Sequence, residues 1–436
     1  MTALLLLLAC SERELPTVPD TDTGTKPYAG PCAPTDGPLR FVCDVPGGGT
    51  LRWWPEDQPD EVREGSGEQV TVWGLRPDVE TVLSYPDGSE ARLDPGDLPE
   101  AYAGIGVQLE GGGIGTWAVT TSPCDATLLV VFDGVGRPRW TKAHEKKVLG
   151  LDVTPEGNLL AMLGGGSFVE YDPTGELVWS ATNETGFPIH HDMARADTGH
   201  TYVLAAKTYE VRGETYIVDV LLVYDEVGEL VTTWELFDHL PDIYVPTQRN
   251  GYWNVQFPGA IDFAHTNSVE VSPDGSLVLS LRWLDTVLVI EGDPEDPAFG
   301  TPRLWLSVDD QVPAELTDAP DLLLDGDPFD GQHHATIDDD GVLRLFDNRE
   351  MPEPSRATSY RIDGDEAVQE AQWVMEKNCP IQGSAYVLDG GDMLLTCATI
   401  RRIERFAASG EAMGATDLSC PPGTGAPTPR AIPVDW

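Results

Sequence analysis

The sequence predicts an all-β fold, in which a six-bladed β-propeller follows a small β-sandwich domain. Two observations favour this fold. The composition, with 41% hydrophobic residues, 45 Gly and 36 Pro, suits many short strands joined by tight turns. An internal repeat also begins after Cys124, in which a strand ends in an aromatic residue and Asp, a turn with Gly follows, and a strand with Trp returns.

The repeat contains two kinds of hairpin that alternate along the chain. One kind connects Phe132-Asp133 to Trp140, Tyr171-Asp172 to Trp179, and Tyr224-Asp225 to Trp234. The other kind has turns at Gly157, Gly199, Gly275, Gly341 and Gly390. Two hairpins make the four-stranded sheet of a propeller blade, and five full units are visible. Because a propeller closes into a ring, we expect strands near Leu128 to form a sixth blade with the C-terminal segment.

The propeller is predicted to span residues 124–436, and the sandwich domain residues 35–123. Short runs in the first region, such as residues 51–54 and 70–77, alternate apolar and polar side chains as sandwich strands do. The turn at residues 74–77, which leads into residues 81–85, resembles part of a fibronectin type III-like domain. The alternative for the second region, two stacked sandwiches, would not keep one order of hairpins throughout.

Residues 1–10 resemble the signal peptide of a bacterial lipoprotein. An apolar run ends at Ala9, directly before Cys10, and Leu7 lies three positions before that cysteine. A transmembrane helix would need about 20 apolar residues. Acylation of Cys10 would give the chain a lipid anchor, with residues 11–34 as a flexible linker. We therefore expect the protein at the periplasmic face of the cell envelope, and Ser11 favours the outer membrane.

Cysteine usage and charge restrict the partners. Six cysteines remain besides Cys10, in an oxidising compartment where disulfides persist, and we expect Cys32 to pair with Cys43.

The chain carries 73 acidic and 27 basic residues, a formal net charge of −46. Such a surface excludes nucleic acid as a partner, and an anionic ligand would need a local cationic pocket. Whether the chain forms a homodimer stays open.

Five of the eight histidines fall into three short clusters, each next to an inner hairpin. The innermost strand of each propeller blade lines the central channel, so equivalent positions in successive blades converge there. Because neighbouring side chains on a strand face opposite ways, only one residue of each histidine pair is expected to face the channel. The clusters are His190-His191-Asp192, His265-Thr266-Asn267-Ser268 and Gln332-His333-His334.

Arg282 follows on the next strand after the Gly275 turn and adds a permanent cation near His265. The same alternation lets His265 and Asn267 point together. Structural histidines are one competing interpretation, and a metal site with Asp192 is another. The spacing of the histidines fits no metal motif, and Arg282 would repel a metal ion, so we expect neither a metal nor another cofactor.

These motifs, in this order, resemble the bacterial arylsulfotransferase family. The resemblance rests on His190-His191-Asp192, residues 265–269, residues 280–282, Gly331-Gln332-His333 and residues 345–348, and it spans about residues 125–410. It implies a six-bladed propeller after a β-sandwich. It also implies transfer of a sulfuryl group between phenols without a nucleotide sulfate donor, so the expected partners are phenols and aryl sulfate esters.

Residue by residue, the resemblance implies that His333 is the nucleophile and becomes transiently sulfurylated. His265, Arg282 and His191 would be its catalytic partners, and His265 or His191 would carry the proton. Asn267, His190 and His334 are the expected substrate-binding residues. Trp283 stands where a polar residue is expected in the family, and His334 where an acidic residue is common. Two other functions stay open, a noncatalytic propeller that binds an anionic aryl ligand or a surface partner, and a metal hydrolase.

Overall fold

The structure is a computed structural model that describes residues 31–35, 37–99, 102, 104–239, 252–308, 321–422 and 430–436. The predicted signal peptide with Cys10, and the predicted linker up to residue 30, lie outside these ranges. The predicted all-β class is confirmed, because nearly every element is a β-strand, and helix α1 (Leu236–His239) spans only four residues. No helix in the described ranges is long and apolar enough to cross a membrane.

The N-terminal strands form two sheets around one apolar core. The strands are β1 (Cys32–Pro34), β2 (Phe41–Asp44), β3 (Thr50–Pro55), β4 (Arg63–Ser66), β5 (Gln69–Val72), β6 (Thr81–Ser84) and β7 (Glu90–Leu93). The sheet orders are β1-β2-β5 and β4-β3-β6-β7. Leu51, Trp53 and Val72 belong to the core between them. The disulfide Cys32–Cys43 joins β1 to β2, as predicted.

The next strands carry the first part of the repeat. They are β8 (Gly106–Glu110), β9 (Ala118–Thr121), β10 (Leu128–Phe132), β11 (Pro138–Ala143), β12 (Val148–Val153), β13 (Leu159–Leu163), β14 (Ser167–Tyr171), β15 (Leu177–Thr182), β16 (Ile189–Arg195), β17 (Thr201–Val211), β18 (Glu214–Tyr224) and β19 (Leu230–Glu235).

The described elements after α1 complete the repeat. They are β20 (Ile261–Asp262), β21 (Thr266–Val271), β22 (Leu277–Leu281), a 3₁₀ turn (Arg282–Leu284), β23 (Thr286–Ile290), β24 (Pro302–Ser307), β25 (Leu323–Asp325), β26 (His333–Ile337), β27 (Val342–Asp347), β28 (Arg356–Asp363), β29 (Glu366–Val374), β30 (Ser384–Val387), β31 (Met393–Cys397), β32 (Arg402–Phe406), β33 (Ala412–Ser419) and β34 (Ile432–Pro433).

These later strands pair into six sheets that follow one another along the chain. The orders are β11-β10-β9-β34, β12-β13-β14-β15, β16-β17-β18-β19, β21-β22-β23-β24, β26-β27-β28-β29 and β30-β31-β32-β33-β8, which we number one to six. In sheets three and five, β20 and β25 add a short parallel pairing. Sheets two to six each contain two antiparallel hairpins, as the repeat predicts, whereas in sheet one the fourth strand, β34, comes from the C-terminal segment. The turns fall at the predicted glycines, among them Gly157, Gly199 and Gly275.

The two ends of the repeat are joined. The C-terminal strand β34 pairs with β9 in the first sheet, the sheet that contains Leu128, and β8 pairs with β33 in the sixth. A disulfide between Cys124 and Cys420 lies beside these pairings. The sequence-based boundary at residue 123 left β8 and β9 in the sandwich, whereas their hydrogen bonds lie with strands of the repeat. Pairing across such a sequence separation has no local signal.

The first strands of sheets two to six lie side by side. Strand β12 contacts β16, β16 contacts β21, β21 contacts β26, and β26 contacts β30. The histidine clusters lie on or beside β16, β21 and β26, so the fold brings three distant stretches of sequence into one region.

Candidate active site

The backbone at the histidine clusters departs from regular strand geometry. His191, His265 and His334 have φ angles of 53°, 52° and 49°, in the left-handed region that non-glycine residues rarely adopt. The strand register shifts beside each of them, as at a β-bulge. Such conformations cost on the order of 1–3 kcal/mol each and gather at functional sites.

These bulges break the alternation on which the sequence analysis relied. Asn267 does not share a face with His265 across the irregularity in β21. Its amide instead donates to the backbone carbonyl of Gln332 on the neighbouring sheet, at 2.7 Å, whereas the His265 ring bonds to Asp262. The expected pairing of His265 with Asn267 is therefore corrected, because the period-two rule holds only for an uninterrupted strand.

His191, His265, His333 and Arg282 form one group of side chains, which we call the imidazole cluster. The ring centroids of His191 and His265 lie 4.8 Å apart. Burial, followed by the charges of neighbours that include His265, His333 and Arg282, holds the pKa of His191 well below its usual range. Burial and then the charge of Arg282 do the same to the pKa of His333. Both imidazoles are therefore neutral near pH 7.

The sequence analysis placed Arg282 on the strand after the Gly275 turn. In the structure, Arg282 is instead the first residue of the 3₁₀ turn that follows β22. Its guanidinium lies 4.5 Å from the centre of the Trp283 ring and donates to the backbone carbonyl of Pro380 at 3.0 Å. Gly331 has a φ of 61°, in the left-handed region that glycine adopts without strain, and a Cβ atom there would lie at an ordinary contact distance, 3.7 Å, from Arg282 Nε. The chain that leads into His333 thus passes close to this cation.

The hydrogen bonds around Asn348 determine which nitrogen of His333 carries its proton. The Asn348 amide nitrogen donates to the backbone carbonyls of Cys379 and Gln382, at 2.6 and 2.8 Å. The amide oxygen must then face His333 Nδ1, at 2.7 Å. Because that oxygen only accepts, Nδ1 carries the hydrogen, and Nε2 keeps its lone pair. The backbone N–H of Gln382 donates to this lone pair, with 3.2 Å between the two nitrogens.

His265 is bonded to a carboxylate that the sequence analysis did not single out. His265 Nδ1 donates to Asp262 Oδ2 at 2.6 Å, and Trp283 Nε1 donates to the same oxygen at 2.9 Å. The Trp283 ring packs beside the imidazole, with 5.0 Å between centroids. The Tyr252 ring contacts both imidazoles, and its centroid lies 5.5 Å from that of His265 and 4.9 Å from that of His191.

His190 and His334, the second members of their pairs, differ in their contacts with the imidazole cluster. His190 Nδ1 lies 2.9 Å from His191 Nδ1, its ring packs against Trp253, and its Nε2 lies 3.4 Å from Asp219 Oδ1. His334 Nε2 lies 3.1 Å from Glu270, and its Nδ1 accepts from the backbone N–H of Ala385. Both residues are about 1% exposed. The structure therefore places His190 directly behind His191, whereas the polar contacts of His334 are with Glu270 and Ala385.

A buried ionic network lies behind His334. Arg430, which precedes β34, pairs with Asp192 on β16 at 2.5 Å and with Glu270 on β21 at 3.2 Å. Arg430 as a whole is 7% exposed. Among the described residues, no group of three or more His, Cys, Asp or Glu side chains is arranged to hold a metal ion.

The fold and the site together define a class of protein. It is an all-β chain of successive antiparallel sheets that gathers three imidazoles and an arginine between neighbouring sheets. Residues 118–415 match the family model of the arylsulfotransferases (ASST). The chain belongs to the arylsulfotransferase family.

Distant structural similarities were also found. A protein of unknown function from Bacteroides caccae has a TM-score of 0.48 and 8% identity, over 74% of this chain and 100% of that chain. A streptogramin B lyase has a TM-score of 0.38 and 11% identity, over 74% of this chain and 100% of that chain. Virginiamycin B lyase from Staphylococcus aureus has a TM-score of 0.39 and 10% identity, over 73% of this chain and 100% of that chain. No curated protein matches the chain.

Proposed function

We propose that this protein transfers a sulfuryl group from a phenolic sulfate ester to a phenol through a sulfohistidine at His333. The observation that carries the proposal is the hydrogen bond from His333 Nδ1 to Asn348, which leaves Nε2 as a neutral nucleophile within the imidazole cluster. The family to which the chain belongs supports the same class of reaction.

In the first displacement, the Nε2 lone pair leaves its hydrogen bond with the Gln382 N–H and forms a bond to sulfur, while the bond from sulfur to the phenolic oxygen breaks. The departing oxygen takes a proton from the imidazolium form of His265 or His191, and the phenol leaves. In the second, the acceptor hydroxyl gives its proton back to the same imidazole, its oxygen bonds to sulfur, and the bond from His333 to sulfur breaks. The enzyme returns to its starting state, and neither step requires a nucleotide donor.

The surrounding residues suit the charge of this reaction. Sulfuryl transfer resembles phosphoryl transfer, in which catalysis is mainly positioning and electrostatic stabilisation. Arg282 places a fixed cation beside His333, where the sulfuryl oxygens would lie. Asn267 uses one amide hydrogen on the Gln332 carbonyl, so its proposed bond to a sulfuryl oxygen rests on the other hydrogen.

The aromatic side chains around His265 support an aryl substrate. Trp283 and Tyr252 both contact this imidazole, with 5.0 and 5.5 Å between the ring centroids. Aromatic side chains beside a reacting group favour a flat, apolar partner, and aromatic pairs contribute about 0.5–1.5 kcal/mol beyond their area. Trp283, the departure from the family pattern, would therefore contact the phenolic ring.

The wider organisation is proposed on the same basis. We propose that sheets one to six are the blades of a six-bladed propeller that β34 closes, and that β1–β7 form a fibronectin type III-like sandwich. The segment between Leu93 and Gly106 would then join the two domains. We further propose export, with a lipid anchor on Cys10 that holds the protein at the periplasmic face of the outer membrane. A homodimer is one further possibility to test.

Turnover separates this proposal from a noncatalytic binding protein. Purified protein is incubated with a chromogenic phenyl sulfate and a phenol acceptor, and release of the coloured phenol is followed. We expect transfer by the wild type and by His200→Ala, a histidine in the β16–β17 turn, but not by His333→Ala. Intact-mass analysis with donor alone should show one added sulfuryl group, which His333→Ala lacks. Equal activity of all three proteins would remove the assignment of His333.

A further inference from the structure

Two imidazoles of the cluster, His265 and His191, are placed to exchange a proton with a phenolic oxygen, and the structure distinguishes between them. His265 Nδ1 lies 2.6 Å from Asp262 Oδ2, so a carboxylate supports this ring directly. Asp262 is about 1% exposed. Because a carboxylate stabilises the imidazolium that forms when its partner ring gains a proton, this contact has a chemical consequence.

Among the described residues, no carboxylate is hydrogen-bonded to the other imidazole. His191 Nδ1 lies 2.9 Å from His190 Nδ1, and the next carboxylate, Asp219, is one ring further away, 3.4 Å from His190 Nε2. A second neutral imidazole does not stabilise a positive charge on His191. Burial and the nearby cations already hold the pKa of His191 well below its usual range. Burial, and then the charge of Asp262, raises the pKa of Asp219 to about 7, so the negative charge of Asp219 is reduced near neutral pH.

The backbone around Asp262 fixes its carboxylate. Strand β20 pairs with β18, with Asp262 opposite Ile217. The indole of Trp283 donates to the same oxygen that accepts from His265. The Trp283 backbone N–H donates to the Ala264 carbonyl at 2.9 Å, which ties the 3₁₀ turn to the segment between Asp262 and His265. The carboxylate, the imidazole and the indole are therefore held in one arrangement.

We propose that Asp262 is a positioning residue that makes His265, and not His191, the proton carrier of the transfer reaction. The inference rests on the proposed function and adds a role to it. In the first displacement, His265 starts as an imidazolium, gives its Nε2 proton to the departing phenolic oxygen and becomes a neutral ring whose Nδ1–H stays hydrogen-bonded to Asp262. In the second displacement, the free Nε2 takes the proton of the acceptor hydroxyl, which restores the imidazolium. Asp262 keeps its hydrogen bond to Nδ1 throughout and touches neither substrate.

The test is the dependence of donor kcat/KM on the acidity of the leaving phenol. A donor with an acidic leaving phenol, such as nitrophenol, needs little proton transfer, whereas unsubstituted phenol needs it most. Asp262→Asn keeps the shape and one acceptor oxygen but removes the charge. We expect this variant to lose little activity with the nitrophenyl donor and about 10²-fold or more with phenyl sulfate, within the range of general acid catalysis. A structural defect would lower all donors equally.

Asp219→Asn is the matched control, because it removes the buried carboxylate on the His191 side. We expect its losses to be uniform across the donor series. His265→Ala should show the same steepened dependence as Asp262→Asn, and the double variant should lose no more than His265→Ala alone. His265→Ala also keeps the test decisive if Asp262→Asn does not fold, because a uniform loss in that variant would overturn the inference.

Each remaining outcome has one meaning. An active wild type in which Asp262→Asn lowers every donor equally, or in which Asp219→Asn steepens the dependence instead, would remove the role of Asp262 and leave the proposed function intact. A wild type that forms no sulfohistidine and transfers no sulfuryl group would remove the proposed function together with this inference.

Discussion

His333 and Asn348 share a hydrogen bond of 2.7 Å whose direction is fixed by two further bonds. Asn348 belongs to the segment after β27, and the carbonyls that hold its amide nitrogen belong to residues 379 and 382. The reactive nitrogen of the proposed nucleophile is thus set by a residue 15 positions away and by a loop before β30.

Asn348→Ala should slow formation of the sulfohistidine. Without the amide oxygen, His333 loses the partner that favours hydrogen on Nδ1, and its ring is less well oriented, which we expect to lower kcat by about 10²-fold. The donor KM should change much less. Single-turnover mass analysis measures the step. Asn378→Ala is the control, because its amide nitrogen also donates to backbone carbonyls of this region but does not bond to His333. An equal loss in both variants would contradict the prediction.

Acid should destabilise the fold through His190. Burial lowers the pKa of His190 to about 3, whereas an unfolded histidine titrates near 6.5. Below pH 6.5 the histidine of the unfolded chain binds a proton, whereas the buried His190 of the folded protein does not. The contribution of His190 to the free energy of unfolding therefore falls by about 1.4 kcal/mol for each pH unit, down to the folded-state pKa.

His190→Gln removes this contribution, so the difference in unfolding free energy between wild type and variant should narrow as the pH falls from about 6.5. Urea unfolding of both proteins over this range measures it. Asp219, whose pKa burial raises to about 7, acts in the opposite direction in the wild type, which is why the difference and not the absolute curve is compared. A difference in unfolding free energy that stays constant with pH would contradict the lowered pKa of His190.

Arg430→Met should strongly destabilise the protein. The substitution leaves Asp192 and Glu270 as buried carboxylates without their cation, a loss of about 3–5 kcal/mol in the free energy of unfolding. Arg303→Met breaks an exposed pair with Asp274, in which both side chains are about half exposed, and should cost at most about 1 kcal/mol. Denaturant unfolding of the two variants gives the comparison. Similar losses of unfolding free energy in the two variants would show that the buried network around Arg430 stabilises the fold no more than an exposed ion pair does.

Added salt should raise donor kcat/KM up to moderate ionic strength. A net charge of −46 repels an anionic sulfate ester, and the Debye length is about 10 Å at 0.1 M salt, so screening eases its approach. We expect a rise of a few-fold. The kcat/KM for a neutral phenol acceptor should stay nearly flat, since that substrate carries no charge. A flat or falling response for the donor would contradict the prediction.

The elements that the sequence predicted well have local signals. Turn glycines such as Gly157 and Gly275 lie where the hairpins reverse, because a positive φ is needed there and only glycine adopts it without strain. The Cys32–Cys43 disulfide could also be predicted from the sequence, because the two residues are only 11 positions apart. The three histidine clusters were found because they recur beside the inner hairpins.

What the sequence did not reveal depends on contacts between distant residues. Asn348 reaches His333 from the segment after β27, and Arg430 reaches Asp192 across a separation of 238 residues. The left-handed backbone of His191 and His265 carries no sequence mark, because it is imposed by the surrounding sheets. Asp262 did have a local signal, an acidic residue three positions before a histidine, but such spacing is common and decides nothing without the fold.

Strand β34 pairs with β9 more than 300 residues before it, and Arg430 pairs with Asp192 at a separation of 238 residues. The first sheet therefore stays without its fourth strand, and Asp192 without its cation, until residues 430–436 have joined the fold. A polypeptide cut before Arg430 would keep every histidine of the site and still lack both of these contacts.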